Sequence, residues 1–374
     1  MPKTMFDDED GTLAMLRDSV GGFAEAHPGA KALRARRKAG GDLDRGLWSA
    51  MAEAGWLGLM LPANLGGADL SIREQAVLSE ALGRALLTEP VAQLAIFSGA
   101  LLRDAPAGEE RDRLLRGIAD GSLLVTAAWQ GAGGKAAPVK ASGAHPALTL
   151  TGTCHFVAAP VSATDVLVLA EGDRGRLLVS VPAGAGGLSV TTRPTLDGAV
   201  LGAVAFAGTP VESGRVIAAG AEVDGLLASA IEVTRLALAA ELAGVASRAL
   251  EITVDYTKQR VQFGKPIASF QAIQHRLVDM WGDAEFACCA VVNAVERTLG
   301  AGGRDGRLAT LAAKARAGDA AVGITRRAIH LHGAMGFTDE CDIGLYMKRA
   351  VNLNATLGQP EELRLAFVDL ERSA

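Results

Sequence analysis

A chain of 374 residues, 49% hydrophobic and 21% charged, is long enough for two or three domains and apolar enough to bury a large core, which excludes a disordered chain. The formal charge of −5, from 37 Lys+Arg against 42 Asp+Glu, is scattered, and basic runs such as Arg34, Arg36, Arg37 and Lys38 are short; nucleic acid and an anionic membrane are not expected as partners. The acidic start MPKTMFDDEDGTLAML lacks the basic end of a secretory signal, and no apolar run reaches the roughly 18–20 residues of a membrane span, so a soluble cytoplasmic protein is expected.

Up to about Ser122 the pattern is helical. Leu47, Met51 and Ala54 recur at helical spacing, the stretch GLMLPANLGGADLS breaks the run through Pro62 and Gly66-Gly67, and a second amphipathic run covers Ile72 to Leu87. From Leu123 to about Ile217 helix formers thin out, and short apolar runs (LTLTGTCHFV, DVLVLA, RLLVSVPA) alternate with turn residues, the signature of a small β domain. From Val223 onward helical patterns return, and LLASAIEVTRLALAAELAGVASRALEITVDYTKQR carries no proline, which suits a bundle of long helices. The predicted fold is α+β: an all-α domain over 1–122, a β-barrel or sandwich domain over 123–218 and a four-helix bundle over 219–374. Cys154, Cys288, Cys289 and Cys341 have spacings that suit neither zinc nor a disulfide framework, and are expected to be buried reduced thiols.

The segment with the most specific chemistry is YTKQRVQFGKPIASFQAIQHRLVDM, residues 256–280. Arg260 and Phe263 close one helix, Gly264-Lys265-Pro266 turns the chain, and Gln271, Gln274 and His275 fall on one face of the next helix. A guanidinium, an aromatic ring and carboxamides at one corner suit a dinucleotide, since Arg pairs bidentately with phosphate and Phe packs on a base. Taken alone, Arg260 beside Phe263 is more often a surface cation over a ring. His275 and His332 are expected as surface or packed histidines rather than acid–base groups.

This segment resembles the R-x-x-F-G-K-P-I-x-x-x-Q region of the acyl-CoA dehydrogenase family. LWSAMAEAGWLGLMLPANLGGADLSIREQAVLSEALGRAL (47–86) is similar to that family's amino-terminal helical domain, and AIHLHGAMGFTDECDIGLYMKRA (328–350) resembles its late Gln-x-x-Gly-Gly-x-Gly region. The resemblance implies an enzyme that removes the α proton of an acyl-CoA thioester with a carboxylate and passes the β hydrogen to FAD, with an electron-transfer flavoprotein as acceptor. It also implies FAD lying across a subunit interface, where Arg260, Phe263 and Gln271, together with His330, Gly333 and Ala334, reach the ADP half of the neighbour's flavin. His330 stands where the family has Gln and Ala334 where it has Gly.

The departures carry more information. The family's base is a Glu before Gly; aligned on KRAVNLNATLGQPEEL that position is Leu357, followed by Gly358. Members that carry the Glu on the long helix before an Arg have it at the position of Thr234, followed here by Arg235, which either orders the base loop or pairs with an acid such as Glu232 on its own helix. Neither Leu nor Thr is a base at neutral pH. Family loops that pack on the isoalloxazine are replaced by AAWQGAGGKAAP and CHFVAAP, with Ala158 and Ala159 lacking polar side chains. The expectation is a FAD-binding subunit without a base, similar to one half of the heteromeric α2β2 enzymes of bacterial steroid degradation and working beside a Glu-bearing homologue. The alternatives are a self-sufficient homotetramer with a relocated carboxylate such as Glu361 or Glu241, and a noncatalytic acyl-CoA-binding scaffold.

Overall fold

A computed structural model describes residues 1–134, 136, 139–143 and 148–373. The chain forms two compact units, one of Met1–Arg34, Ile72–Thr88 and Arg235–Ala374, the other of Ala35–Ser71 and Glu89–Thr234. The order is helices, sheet, helices. The amino-terminal helices are α1 (Thr12–Ala26), α2 (Gly29–Ala39), α3 (Arg45–Glu53), α4 (Ile72–Ala85), α5 (Ser98–Arg103) and α6 (Glu109–Ala119). Asp44 starts α3 by accepting the amides of Gly46 at 2.9 Å and Leu47 at 3.1 Å, satisfying two donors that the first turn leaves open. After Pro90 the chain winds as a π-helix over Ala92–Phe97, a wide turn often found at functional sites.

The strands are β1 (Val125–Ala128), β2 (Val139–Ser142), β3 (Leu148–Ala158), β4 (Asp165–Gly172), β5 (Gly175–Pro182), β6 (Leu188–Pro194), β7 (Val200–Val211) and β8 (Val216–Ala219). They form one sheet in the order β6-β7-β3-β2-β4-β5-β8, with β1 also pairing β4, parallel, through Val125↔Asp165 to Ala128↔Val168. Six consecutive residues of β4 are buried, so DVLVLA reads as a continuous apolar run because both faces of that strand are covered. The core beneath includes Val168, Val179, Val181, Val204 and Phe206.

The carboxyl-terminal helices are α7 (Glu222–Gln259), α8 (Gln271–Leu299), α9 (Gly303–His332), α10 (Ile343–Ala355) and α11 (Pro360–Arg372), with a short hairpin of β9 (Val261–Gln262) and β10 (Lys265–Pro266) between α7 and α8. The middle of α7, from Leu236 through Leu250, is buried almost throughout, and a mostly apolar helix of that kind belongs at a core. Small residues let α4 meet it closely: a Cβ at Gly244 would lie 2.0 Å from the Glu80 carbonyl, and one at Gly83 2.2 Å from the Glu241 carbonyl. No helix among the described residues is long and apolar enough to cross a membrane.

The four cysteines are free, as their spacing indicates, and burial pushes the thiols of Cys154 and Cys288 up to about 12. Cys289 is exposed and Cys341 half-buried, which corrects the expectation of burial for all four: on α8 the residue next to the inward-facing Cys288 turns to the opposite side of the helix.

Candidate functional site

Two segments matching the family's ADP-side motifs come together at the ends of α7 and α9. Tyr256, one turn before Arg260, stacks on His332 with ring centroids 4.2 Å apart and 21° between planes, and its hydroxyl donates to the His332 carbonyl at 3.2 Å. The His332 Nδ1–H donates to the Ala328 carbonyl at 2.8 Å. Burial lowers the proton affinity of the ring, against the pull of that carbonyl, so His332 is a packed neutral imidazole. The stack therefore joins the turn after Arg260 to the glycine of the second segment, Gly333, whose φ of 61° and ψ of −138° only glycine adopts without strain.

Beyond Gln259 the chain forms the β9–β10 hairpin, closed by the Ile267 amide donating to the Arg260 carbonyl at 2.8 Å. Phe263 sits at its tip with φ 53° and 91% of its surface exposed; its ring meets Phe270 edge-on at 6.1 Å. Arg260, Gln271 and His330 are exposed, and their side chains make no hydrogen bond or ion pair among the described residues. Gln274, exposed on α8 like Gln271 and His275, donates its carboxamide back to the Ala268 carbonyl at 3.0 Å. Ala334 is exposed, so its methyl intrudes on nothing in this chain. A guanidinium, a carboxamide and an imidazole with no hydrogen bond or ion pair among the described residues, and an exposed aromatic ring, are groups chemically suited to the phosphate, ribose and base of an ADP moiety.

The turn between α10 and α11 holds Leu357, where the family resemblance leads to the expectation of a base. Leu357 has φ 57°, a conformation costing a leucine about 1–3 kcal/mol. Its carbonyl accepts Arg235 Nε at 2.8 Å; of the two roles open to Arg235 from sequence, this contact is with the loop. Gly358 follows at φ 113°, and a Cβ there would lie 2.8 Å from Leu363 Cδ2. Lys314, fully buried, donates to the carbonyls of Asn354 at 3.2 Å and Gly358 at 3.4 Å. The turn is thus built as a fixed presenter of residue 357, and what it presents is a leucine. The other position, Thr234, is 1% exposed and its hydroxyl donates to the Ala230 carbonyl at 2.7 Å.

Two of the three carboxylates considered as relocated or neighbouring bases are engaged. Glu362 accepts the Gln359 amide at 3.0 Å in the capping box of α11. Glu241 lies beneath the surface, with Arg349 Nε at 2.9 Å from its Oε1. Glu361 is exposed in the first turn of α11.

In the sheet unit, the loop after β1 carries Trp129, which stacks on the buried Phe97 of the π-helix at 5.7 Å and 21°. Composition gave no sign of this pair. Gln130 is tied down by its carbonyl accepting the His155 amide at 2.7 Å and its carboxamide donating to the Gly134 carbonyl at 3.1 Å. Lys135, Ala137 and Pro138 of the quoted loop lie outside the described residues. In the CHFVAAP segment Phe156 and Ala159 take φ of 59° and 43°, and the Ala158 carbonyl is taken by the Thr126 hydroxyl at 2.7 Å. Asp42 holds the end of this segment by accepting the amides of Val161 at 2.6 Å and Ser162 at 3.1 Å.

Comparison with known proteins identifies the family. The family models for the acyl-CoA dehydrogenase N-terminal and C-terminal domains match residues 11–122 and 225–366. Acyl-CoA dehydrogenase IpdE2 of Mycobacterium tuberculosis is 30% identical over 351 residues, 93% of this chain and 94% of the relative. Among solved structures, a variant of the Tcur3481-Tcur3483 steroid ACAD is 31% identical with a TM-score of 0.86, covering 96% of this chain and 98% of that one. The ChsE4-ChsE5 complex from Mycobacterium tuberculosis is 26% identical with a TM-score of 0.89 over the full length of both chains. With the motifs at the ends of α7 and α9, the helix–sheet–helix order and relatives matched nearly end to end, the chain belongs to the acyl-CoA dehydrogenase family.

Proposed function

We propose that this chain is the complementing subunit of a heteromeric acyl-CoA dehydrogenase: it supplies the ADP-side residues of a flavin site and relies on a homologous, Glu-bearing chain for the base. The observation that carries this is the turn at Leu357, which keeps the clamps that would hold a base while holding an aliphatic side chain. FAD, the family's cofactor, would supply when bound an acceptor for the β hydrogen of an acyl-CoA as hydride, and the α proton would go to a carboxylate, leaving an enoyl-CoA. In this chain Arg260 offers a bidentate cation for the diphosphate, Gln271 and His330 offer donors to the sugar and base, and Phe263 offers an aromatic face. No group at 357 or 234 takes a proton.

The same division of labour is supported from the sheet unit, where Trp129 stacked on Phe97, together with Ala158 and Ala159, leaves bulk and methyl groups where the family has polar contacts to the flavin ring. The relatives add that a two-chain complex, ChsE4-ChsE5, shares the fold end to end and that a steroid ACAD is 31% identical. A steroid side-chain CoA is accordingly the proposed substrate class, with an electron-transfer flavoprotein as acceptor. Of the carboxylates that the self-sufficient alternative would use, Glu241 is in an ion pair with Arg349, which leaves Glu361, exposed in the first turn of α11, as the one to test.

The test is substitution in the co-expressed pair. Glu→Gln at the partner's base position is expected to abolish substrate-dependent flavin bleaching, while Glu361→Gln in this chain leaves it unchanged. Loss of bleaching from Glu361→Gln would assign the base to this chain instead.

A further inference from the structure

Lys314 is unused by the chemistry proposed above. It is one of the largest fully buried side chains, on α9, and makes no ion pair among the described residues. An ammonium taken out of water without a carboxylate is among the costliest burials available to a protein. What surrounds the amine is backbone: the carbonyl of Asn354 in the last turn of α10 and that of Gly358 in the turn that follows. The charged group acting on it is Arg235 from α7, whose own Nε is on the Leu357 carbonyl. On α8, packed along α9, Asp283 is engaged by Arg316 and Arg327, and on α10 Arg349 is engaged by Glu241. On α11, Glu361 and Glu362 are exposed, and Glu362 is engaged with the Gln359 amide.

We propose that Lys314 is a positioning residue which, as a neutral amine, latches the α10–α11 turn through the Asn354 and Gly358 carbonyls, and with Arg235 fixes the side chain at position 357 where it stands. Two acceptors match the two N–H groups of a neutral amine, whereas an ammonium carries a third N–H and a positive charge next to a guanidinium. Burial first, and the Arg235 charge second, bring the amine down to about 7, so near neutrality the latch gains and loses a proton. Protonation favours any opening that lets the charge reach water, so the turn is looser below about pH 7 and tightens as pH rises above it. The rest of the turn leaves little else to vary: Leu357 and Gly358 are both at positive φ, and Gln359 and Pro360 are locked by the α11 capping box.

The latch itself does not depend on the complementing-subunit proposal; only the statement that residue 357 faces reacting groups rests on it. The experiment therefore reads the turn and not turnover. Hydrogen exchange of the amides of Thr356–Gln359, corrected for the intrinsic pH dependence, is followed in the full chain from about pH 6.5 to 9, with β4 in the other unit as reference. Protection of the turn is expected to rise towards about tenfold per pH unit above about pH 7, with no such slope in β4. Lys314→Met removes the titrating group, and its profile is expected to be flat. Lys314→Arg keeps a cation that holds its proton and is expected to be flat as well. A wild-type turn with the same pH dependence as β4, or a Lys314→Met turn whose protection still rises with pH as in wild type, overturns the proposal. Should neither variant fold, the wild-type profile alone decides between the two outcomes.

Discussion

Removing Arg349 while leaving Glu241 separates a structural carboxylate from a catalytic one. The two side chains are only 7% and 8% exposed and meet at 2.5 Å through Nη2 and 2.9 Å through Nε, so Arg349→Met takes the guanidinium away from a buried carboxylate on α7. Breaking one side of a buried pair costs about 3–5 kcal/mol, whereas replacing both members by apolar groups of similar volume is often neutral. Arg349→Met is therefore expected to lose about that much in urea denaturation followed by circular dichroism, and Glu241→Leu/Arg349→Met to recover most of it. The coupling of the two substitutions is the quantity that isolates the pair. In the co-expressed complex the double variant should still bleach its flavin with acyl-CoA, because the proposed base lies on the partner chain. A double variant as unstable as the single one would refute the pairing argument; a stable double variant that has lost bleaching would make Glu241 the missing base.

Further outcomes follow from the same contacts. Gly244→Ala places a Cβ 2.0 Å from the Glu80 carbonyl and should cost about 3 kcal/mol or more through separation of α4 from α7, read as a lower urea midpoint at unchanged slope. Arg260→Ala should weaken flavin retention by the pair roughly tenfold to a hundredfold, as loss of a charge-assisted contact worth about 1.5–3 kcal/mol predicts, with the fold unchanged by circular dichroism. Lys314 sets a pH term in global stability. Its amine falls from 10.5 to about 7 on folding, so the unfolded chain binds the proton more tightly. The resulting cost, about 5 kcal/mol, is complete below about pH 7 and disappears as pH rises through the unfolded value. Relative to Lys314→Met, the wild type should gain about 2 kcal/mol between about pH 7 and 9 in urea titrations at fixed ionic strength; a constant difference would contradict a buried titrating amine.

The helices were legible because their apolar spacing and stops are local: Ile72–Ala85 and the 38-residue α7 follow from periodicity and the absence of proline. The β segment was legible from short runs between turn residues, though its strand order, with β1 and β2 both parallel to β4, depends on pairings that composition does not encode. Arg260, Phe263 and Gln271 could be singled out because R-x-x-F-G and the following Gln are dense in one stretch. Residues that meet only in space were not. Trp129 on Phe97, Tyr256 on His332 and Glu241 on Arg349 pair residues from 32 to 108 positions apart. Lys314 could be found by one signal, a lone lysine in the alanine-rich stretch TLAAKARAGDAA, where a helix that is otherwise small and apolar faces a core.

The most direct measurement is the flavin content and acyl-CoA-dependent bleaching of this chain purified alone and after co-expression with a homologous chain that carries Glu at the position of Leu357. A colourless lone chain, together with a yellow pair that holds about one flavin per heterodimer and bleaches with substrate, is the predicted result. A lone chain that is yellow and bleaches at the rate of the pair would contradict the absence of a base here.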